Sequence, residues 1–313
     1  MTEREIILVG GPDSGKTNYL ARLWESIRSK TGALIASRPP TEITYVEEAL
    51  EHLLKGEFAP RSDKNVAESK RSFSISLQKS GRSDLQPANV VVPDVTGELW
   101  RKAIEIYELP QTWMDSLQNA SGALLFVRVG SNQNEEALDW VTCSRLLRLQ
   151  LGANVVDADG VVDSLADVDA AVGVDVGAGV DAESRDRTRI PTQVALCELL
   201  RFLEFGLKKN PDGSRPRVSV LVTAWDRLDG ETSSKGPLAY LRAEYPMFAG
   251  RLDDITGLEV KVFGVSVVSG DFVDPEFKEA FFKKNIKDSG YVVADDNPGV
   301  TIPDLTLPVE WVM

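Results

Sequence analysis

Histidine is nearly missing from this chain. His52 is its only one, which excludes a histidine-rich metal centre. Cysteine is almost as scarce: Cys143 and Cys197 lie in apolar, helix-like contexts and read as reduced core residues rather than a disulfide pair, which fits a cytoplasmic protein. No apolar run reaches the ~18 residues that a membrane helix needs. The opening Met1-Thr2-Glu3-Arg4 runs straight into a strand pattern and leaves no room for a signal peptide. Basic charge is also short, with 35 Lys and Arg against 48 Asp and Glu and a net charge of −13. Nucleic acid and anionic membrane both require basic patches, so neither is expected as a partner. Apolar residues are not lacking: they make up 42% of 313 residues, enough for the core of one large α/β domain.

Strand and helix patterns alternate along most of the chain. Glu5–Val9 reads as a buried strand, and a helix with Leu20, Leu23, Trp24 and Ile27 at helical spacing follows from Lys16. Residues 42–55 repeat that period with Val46, Leu50, Leu53 and Leu54. Residues 72–78 alternate polar and apolar, the mark of a half-exposed strand at a sheet edge. Asn89–Pro93, Ala123–Val129, Arg217–Thr223 and Leu258–Ser266 read as buried strands. Helices are expected over 99–118, 134–151, 191–209, 236–245 and 275–287. The fold class expected is α/β: a P-loop three-layer sandwich whose mostly parallel sheet carries an antiparallel edge strand. A single domain over residues 1–313 is expected.

Residues 152–184 break the pattern. They are almost wholly Gly, Ala, Val and Asp, with seven Asp, one Glu and no Lys, Arg or aromatic residue. Such a segment cannot bury enough apolar surface to offset its ordering entropy, and it reads as a flexible acidic insertion. Asp157-Ala158-Asp159-Gly160 lacks the further ligands of a calcium loop.

Four short segments carry chemistry. Gly10-Gly11-Pro12-Asp13-Ser14-Gly15-Lys16-Thr17 fits G-x-x-x-x-G-K-[ST], with a strand before and a helix after. Glycines let the backbone wrap close to phosphate, while successive N–H groups and the helix N-terminus face the anion. Lys16 reaches the β- and γ-phosphates, and the Thr17 hydroxyl holds Mg²⁺. In Val90–Glu98 an apolar strand ends in Asp94-Val95-Thr96-Gly97. Asp94 can hold a water on Mg²⁺, and Gly97 offers a backbone N–H to a γ-phosphate; an ordinary Asp/Gly turn is the plain alternative. In Val218–Asp226 the carboxylate of Asp226 can accept both N–H groups of guanine's Watson–Crick edge, or else merely cap a helix. A backbone N–H of Val265-Ser266-Val267 can meet the guanine carbonyl oxygen, with an ordinary loop as an equal alternative.

The order P-loop, Asp-x-x-Gly, Thr223-x-x-Asp226 and a strand ending in Ser266 resembles the translation-factor-related (TRAFAC) clade of GTPases over residues 5–270, the insertion apart. Within that clade the chain is similar to the bacterial double-GTPase family of predicted conflict and defence gene clusters. The residues that carry this are Gly-Pro-Asp-Ser-Gly-Lys-Thr-Asn-Tyr-Leu at 11–20, Lys55-Gly56-Glu57-Phe58-Ala59-Pro60, and Trp225-Asp226. The resemblance implies GTP and GDP as ligands and Mg²⁺ as cofactor. It also implies switch loops that respond to the γ-phosphate and a protein partner that reads them, a second GTPase or an effector from the same gene cluster. The nucleotide contacts expected are Gly10, Asp13, Ser14, Gly15, Lys16, Thr17, Asn18, Thr223, Asp226 and Ser266. Catalysis falls to Lys16, Gly97 and Glu98.

The chain departs from the clade at three places. Ala224 stands where a Lys stem usually packs on the base, which weakens the grip on guanine. Glu98 follows Asp-x-x-Gly where many relatives place the Gln that orients water. No threonine stands out as the first-switch Mg²⁺ ligand: it is expected within residues 31–71, where Ser62 is the first choice and Thr41 and Thr44 are the alternatives, and Arg61 reads as a solvated arginine rather than a finger supplied in cis. Slow GTP hydrolysis is the expected activity. A non-hydrolysing nucleotide-binding scaffold and an ATPase or small-molecule kinase are the rivals. The apolar tail Leu305–Trp311 either packs on the domain's own sheet or offers a docking edge.

Overall fold

The computed structural model describes residues 4–38, 40, 43–60, 73–81, 87–92, 100, 103–104, 108–131, 190–210 and 212–313. Contacts divide the chain into one unit of Met1–Asn134 with Thr192–Met313 and another of Glu135–Pro191. The expected helix over 134–151, the acidic segment 152–184, Cys143 and the 157–160 loop all lie outside the described residues.

The first unit is built on a sheet with nine strands among the described residues. They are β1 (Arg4–Val9), β2 (Leu34–Ala36), β3 (Phe73–Lys79), β4 (Ala88–Val92), β5 (Ala120–Arg128), β6 (Arg217–Thr223), β7 (Glu259–Ser266), β8 (Tyr291–Ala294) and β9 (Thr301–Ile302). Their order is β2-β3-β4-β1-β5-β6-β7-β8-β9. The run from β4 to β7 is parallel, and antiparallel strands flank it on both sides. The central strands are buried because both their faces are apolar. Ile6 and Leu8 face one layer, Ile7 and Val9 the other, and none of the four exceeds 2% exposure.

Helix α1 (Lys16–Ser29) lies on the face of Ile6 and Leu8, and every residue from Tyr19 to Ile27 is buried. Leu20, Leu23, Trp24 and Ile27 form its apolar stripe, and the buried positions between them include the polar Arg22, Glu25 and Ser26. Lys30 ends it in the left-handed region at φ 55°, with backbone bonds from Lys30 N to Ile27 O and Thr31 N to Ser26 O. Helix α2 (Thr44–Leu54) packs beside α1 through Val46, Leu50 and Leu53, whereas Leu54 turns outward. On the opposite face Gln111–Asn119 packs against β1, β5 and Thr192–Gly206, giving three layers. Cys197 sits half-buried on that last helix as a free thiol, and burial pushes its pKa up.

Three features differ from expectation. The strand at 73–79 is antiparallel but lies one strand in from the edge, because Leu34–Ala36 pairs along its outer side. Ile75, Ser76 and Leu77 are accordingly buried. The helix expected over 275–287 ends at Phe282 and gives way to a short 3-10 turn at Ile286–Asp288. Beyond β7 two antiparallel strands extend the sheet. The apolar tail becomes a short helix, Leu307–Val312, against the domain's own sheet. Gly122 on β5 makes room for it, since a Cβ there would lie 2.2 Å from Val312 Cγ1. Ser219, buried in the middle of β6, donates to the Pro308 carbonyl at 2.8 Å. No helix among the described residues is long and apolar enough to cross a membrane.

Candidate functional site

The carboxyl ends of β1, β5, β6 and β7 lie along one edge of the sheet, with Arg128, Thr223 and Val265 as register partners. The segment Gly10–Gly15 leaves β1 at that edge and turns into α1. Gly10 is required by close approach: a Cβ would lie 2.9 Å from Ser14 Oγ and 3.0 Å from Phe126 Cβ. Gly15 is required by its backbone, at φ 86°. It is the N-cap of α1 and supplies no side-chain cap, and no acid lies in the first turn. An uncapped helix start with a positive dipole end suits an anion. Lys16 Nζ donates to the carbonyls of Gly10 at 2.6 Å and Gly11 at 2.8 Å and to Ser14 Oγ at 3.0 Å. Three protein oxygens thus hold the ammonium on the loop.

The loop is fastened from several sides. Asp13, in the left-handed region at φ 58°, has its carboxylate gripped by Arg128 at the end of β5 and by Ser131 Oγ at 3.0 Å. Thr223 Oγ1 donates to the Ser14 carbonyl at 2.9 Å and is 3% exposed, so the end of β6 is pinned to the loop. The Thr17 hydroxyl is hydrogen-bonded to the Tyr45 hydroxyl on α2. The Asn18 amide oxygen accepts from Ala59 N–H at 2.9 Å. Asp13 and Asn18 therefore hold protein with their side chains in this structure.

At the other end of the edge, Asp226 follows β6 in a short 3-10 turn that Ala224 enters at φ 57°. Burial pushes the Asp226 carboxyl pKa up, against a lowering hydrogen bond from Ser266. Ser266 closes β7 fully buried, and its Oγ accepts from Ser269 N–H at 2.8 Å. Tyr291 is its cross-strand partner on β8 and titrates upward through burial and the charge of Asp226. Trp225 is buried over Gly264, where a Cβ would meet its ring at 2.5 Å, and meets Tyr240 edge-on at 5.9 Å between centroids. That packing fixes the turn presenting Asp226.

Of the sequence-derived set, the structure brings together Gly10, Asp13, Ser14, Gly15, Lys16, Thr17, Asn18 and Thr223 at the loop, and Asp226 with Ser266 beside it. Asp94, Gly97, Glu98, Arg61 and Ser62 lie outside the described residues, as do Thr41 of the first-switch alternatives and Val92's side chain. Thr44 opens α2. Sequence reasoning did not anticipate Tyr45, Arg128, Ser131, Arg22 or Tyr291. Only Arg22 left a signal, as a charge that shares with Glu25 the stretch between Leu20 and Ile27 of α1.

A family model described as Double-GTPase 1 matches residues 7–312. Among solved structures the chain is similar to Methanosarcina barkeri Roco2 RocCORdC bound to GDP. Identity there is 11% and TM-score 0.30, over 90% of this chain and 48% of that one. It is also similar to the bacterial selenocysteine-specific elongation factor EF-Sec, with 14% identity and TM-score 0.31 over 91% of this chain and 30% of that one. The chain thus spans about half and under a third of the lengths of these two structures. No curated protein matches it.

Proposed function

The chain belongs to the Double-GTPase 1 family, and from that premise we propose that it binds GTP and GDP at this sheet edge, hydrolyses GTP slowly and signals its nucleotide state to a protein partner. The observation that carries the reading is the tie between the two halves of the site. Thr223 holds the loop through the Ser14 carbonyl, and Asp226 stands on the turn directly after β6, where Ser266 at the end of β7 acts to lower its carboxyl pKa. A phosphate cradle and a base-reading carboxylate thus share one rigid frame. In this reading the start of α1 takes the phosphates, Lys16 turns from Gly10 and Gly11 toward them, and Asp226 accepts from the guanine edge. A backbone N–H after Ser266 meets the guanine carbonyl oxygen.

The donor set fits Mg²⁺, which takes oxygen ligands and keeps several waters. Thr17 presents a hydroxyl at the start of α1, and by sequence Asp94 and Ser62 add oxygen donors. When bound, the ion neutralises charge on the phosphates. Gly97 is assigned to the γ-phosphate through its N–H.

Slow turnover follows from Glu98. A glutamine can accept from the attacking water and donate toward phosphate, whereas an ionised Glu can only accept, and its charge repels the phosphate oxygens. A charge supplied from outside is worth about 10³–10⁵ in rate in enzymes of this kind. A second GTPase or an effector from the same gene cluster, in a bacterial defence setting, is the partner the reading supplies. Single-turnover GTP hydrolysis by the purified protein tests it. The expected rate lies far below one per second and rises with partner. A rate of roughly one per second alone contradicts partner dependence, and no turnover under any condition leaves a nucleotide-binding scaffold.

A further inference from the structure

We propose that Arg22 is the positioning residue for guanine recognition: from inside the P-loop helix it holds the loop after β7 at the height where that loop's backbone reads the base. The proposal rests on the guanine-binding reading above. Arg22 is 1% exposed on α1, among the core residues Leu20, Leu23, Trp24 and Ile27. Taking a guanidinium out of water there is costly, and burial lowers its pKa to about 10. Both of its hydrogen bonds go to backbone of the base-side loops. Nε donates to the Val267 carbonyl at 2.8 Å, and one terminal nitrogen donates to the Ser289 carbonyl at 2.6 Å. Val267 directly follows Ser266, the residue at the end of β7 that acts on the Asp226 carboxyl. Ser289 leads through Gly290 into Tyr291, the strand partner of Ser266. One planar group therefore bridges the exit of β7 and the entry of β8.

The loop needs such a clamp. Ser269 sits at φ 70°, a region that L side chains rarely adopt. Its Oγ accepts from Gly290 N–H at 2.8 Å, and its own N–H is held by Ser266 Oγ at 2.8 Å. Gly290, at φ 81°, approaches so closely that a Cβ would lie 2.7 Å from the Val267 carbonyl. The second terminal nitrogen of Arg22 has no hydrogen-bond partner among the described residues. An apolar side chain of similar volume would fill the space without that cost. What the arginine adds is a fixed distance between the helix that carries Lys16 and the loop that meets the base.

The test compares GDP with 6-thio-GDP, which keeps both N–H groups facing Asp226 but replaces the carbonyl oxygen with a weaker acceptor. Wild type should prefer GDP. Arg22→Met should weaken GDP about fivefold to tenfold, the size of one lost hydrogen bond, while 6-thio-GDP stays within about twofold. Arg22→Lys, which can reach one carbonyl, should recover part of the preference. Ser269→Gly removes one clamp bond yet relieves the positive φ, so it keeps the question answerable if Arg22→Met fails to fold; it should show the same selective loss in smaller degree. Equal losses for both nucleotides, or an unchanged GDP affinity, overturn the proposal. A wild type that binds both ligands equally removes the loop's reading of the carbonyl oxygen and the clamp with it. A wild type that binds neither overturns the nucleotide-binding reading beneath them.

Discussion

Asp226 must be ionised to accept from guanine, yet burial favours its protonated form. A raised carboxyl pKa means the folded state holds its proton more tightly than the unfolded chain. Its contribution to stability is therefore present at low pH and lost as pH rises through the folded value. Guanine preference runs the other way. The GDP-to-ADP affinity ratio should fall on acidification at a pH above the ordinary carboxylate range, and titrations across pH check this. Asp226→Asn should make the ratio insensitive to pH and shift preference toward xanthine nucleotides, because an amide can donate to the xanthine carbonyl. Full GDP affinity with no gain for xanthosine diphosphate contradicts the assignment. At the phosphate end, Lys16→Ala should weaken triphosphate binding roughly tenfold to 150-fold, from the ~1.5–3 kcal/mol of a charged hydrogen bond. Tyr45→Phe releases the Thr17 hydroxyl from a competing partner and should strengthen Mg²⁺-dependent nucleotide binding a few-fold, read as a lower Mg²⁺ midpoint. The turn from Gly10 to Gly15 between β1 and α1 was legible in the sequence because close approach at Gly10 and the positive φ of Gly15 both call for glycine. Tyr45, Arg128 and Arg22 were not, since each acts on a partner far along the chain that only the fold brings near.

Among elements, the strands nearest the loop were the readable ones: an apolar run on both faces leaves a buried parallel strand as the simplest outcome. Residues 73–79 misled because Ser74, Ser76 and Gln78 suggest solvent. In the sheet Ser76 is buried and its hydroxyl accepts from Ser37 at 2.8 Å, a bond invisible to periodicity. Two-residue β9 and three-residue β2 carry too little pattern to detect. The tail helix Leu307–Val312 offers a direct test of element packing. Gly122→Ala forces a Cβ against Val312, and overpacking of this kind should destabilise the protein by roughly 1–3 kcal/mol. Adding Val312→Ala should return part of the loss. Urea midpoints measure both, and an unchanged midpoint for Gly122→Ala contradicts the packing described.

For the whole molecule, the alternation of strands and helices gave the class, but not the sheet order, which depends on crossovers that leave no local trace. The acidic segment 152–184 stands apart by composition alone. Its deletion with a short linker should leave melting temperature and GDP affinity nearly unchanged, since the segment offers little apolar surface to bury and loop length costs little. A large fall in melting temperature contradicts that. The central claim is that the P-loop and Asp226 form one guanine-nucleotide site. It is tested most directly by equilibrium competition of GTP, GDP and ATP on the purified protein with Mg²⁺. GTP and GDP should each bind roughly tenfold or more tightly than ATP, the preference of one charged base contact. ATP binding as tightly as GTP contradicts the claim.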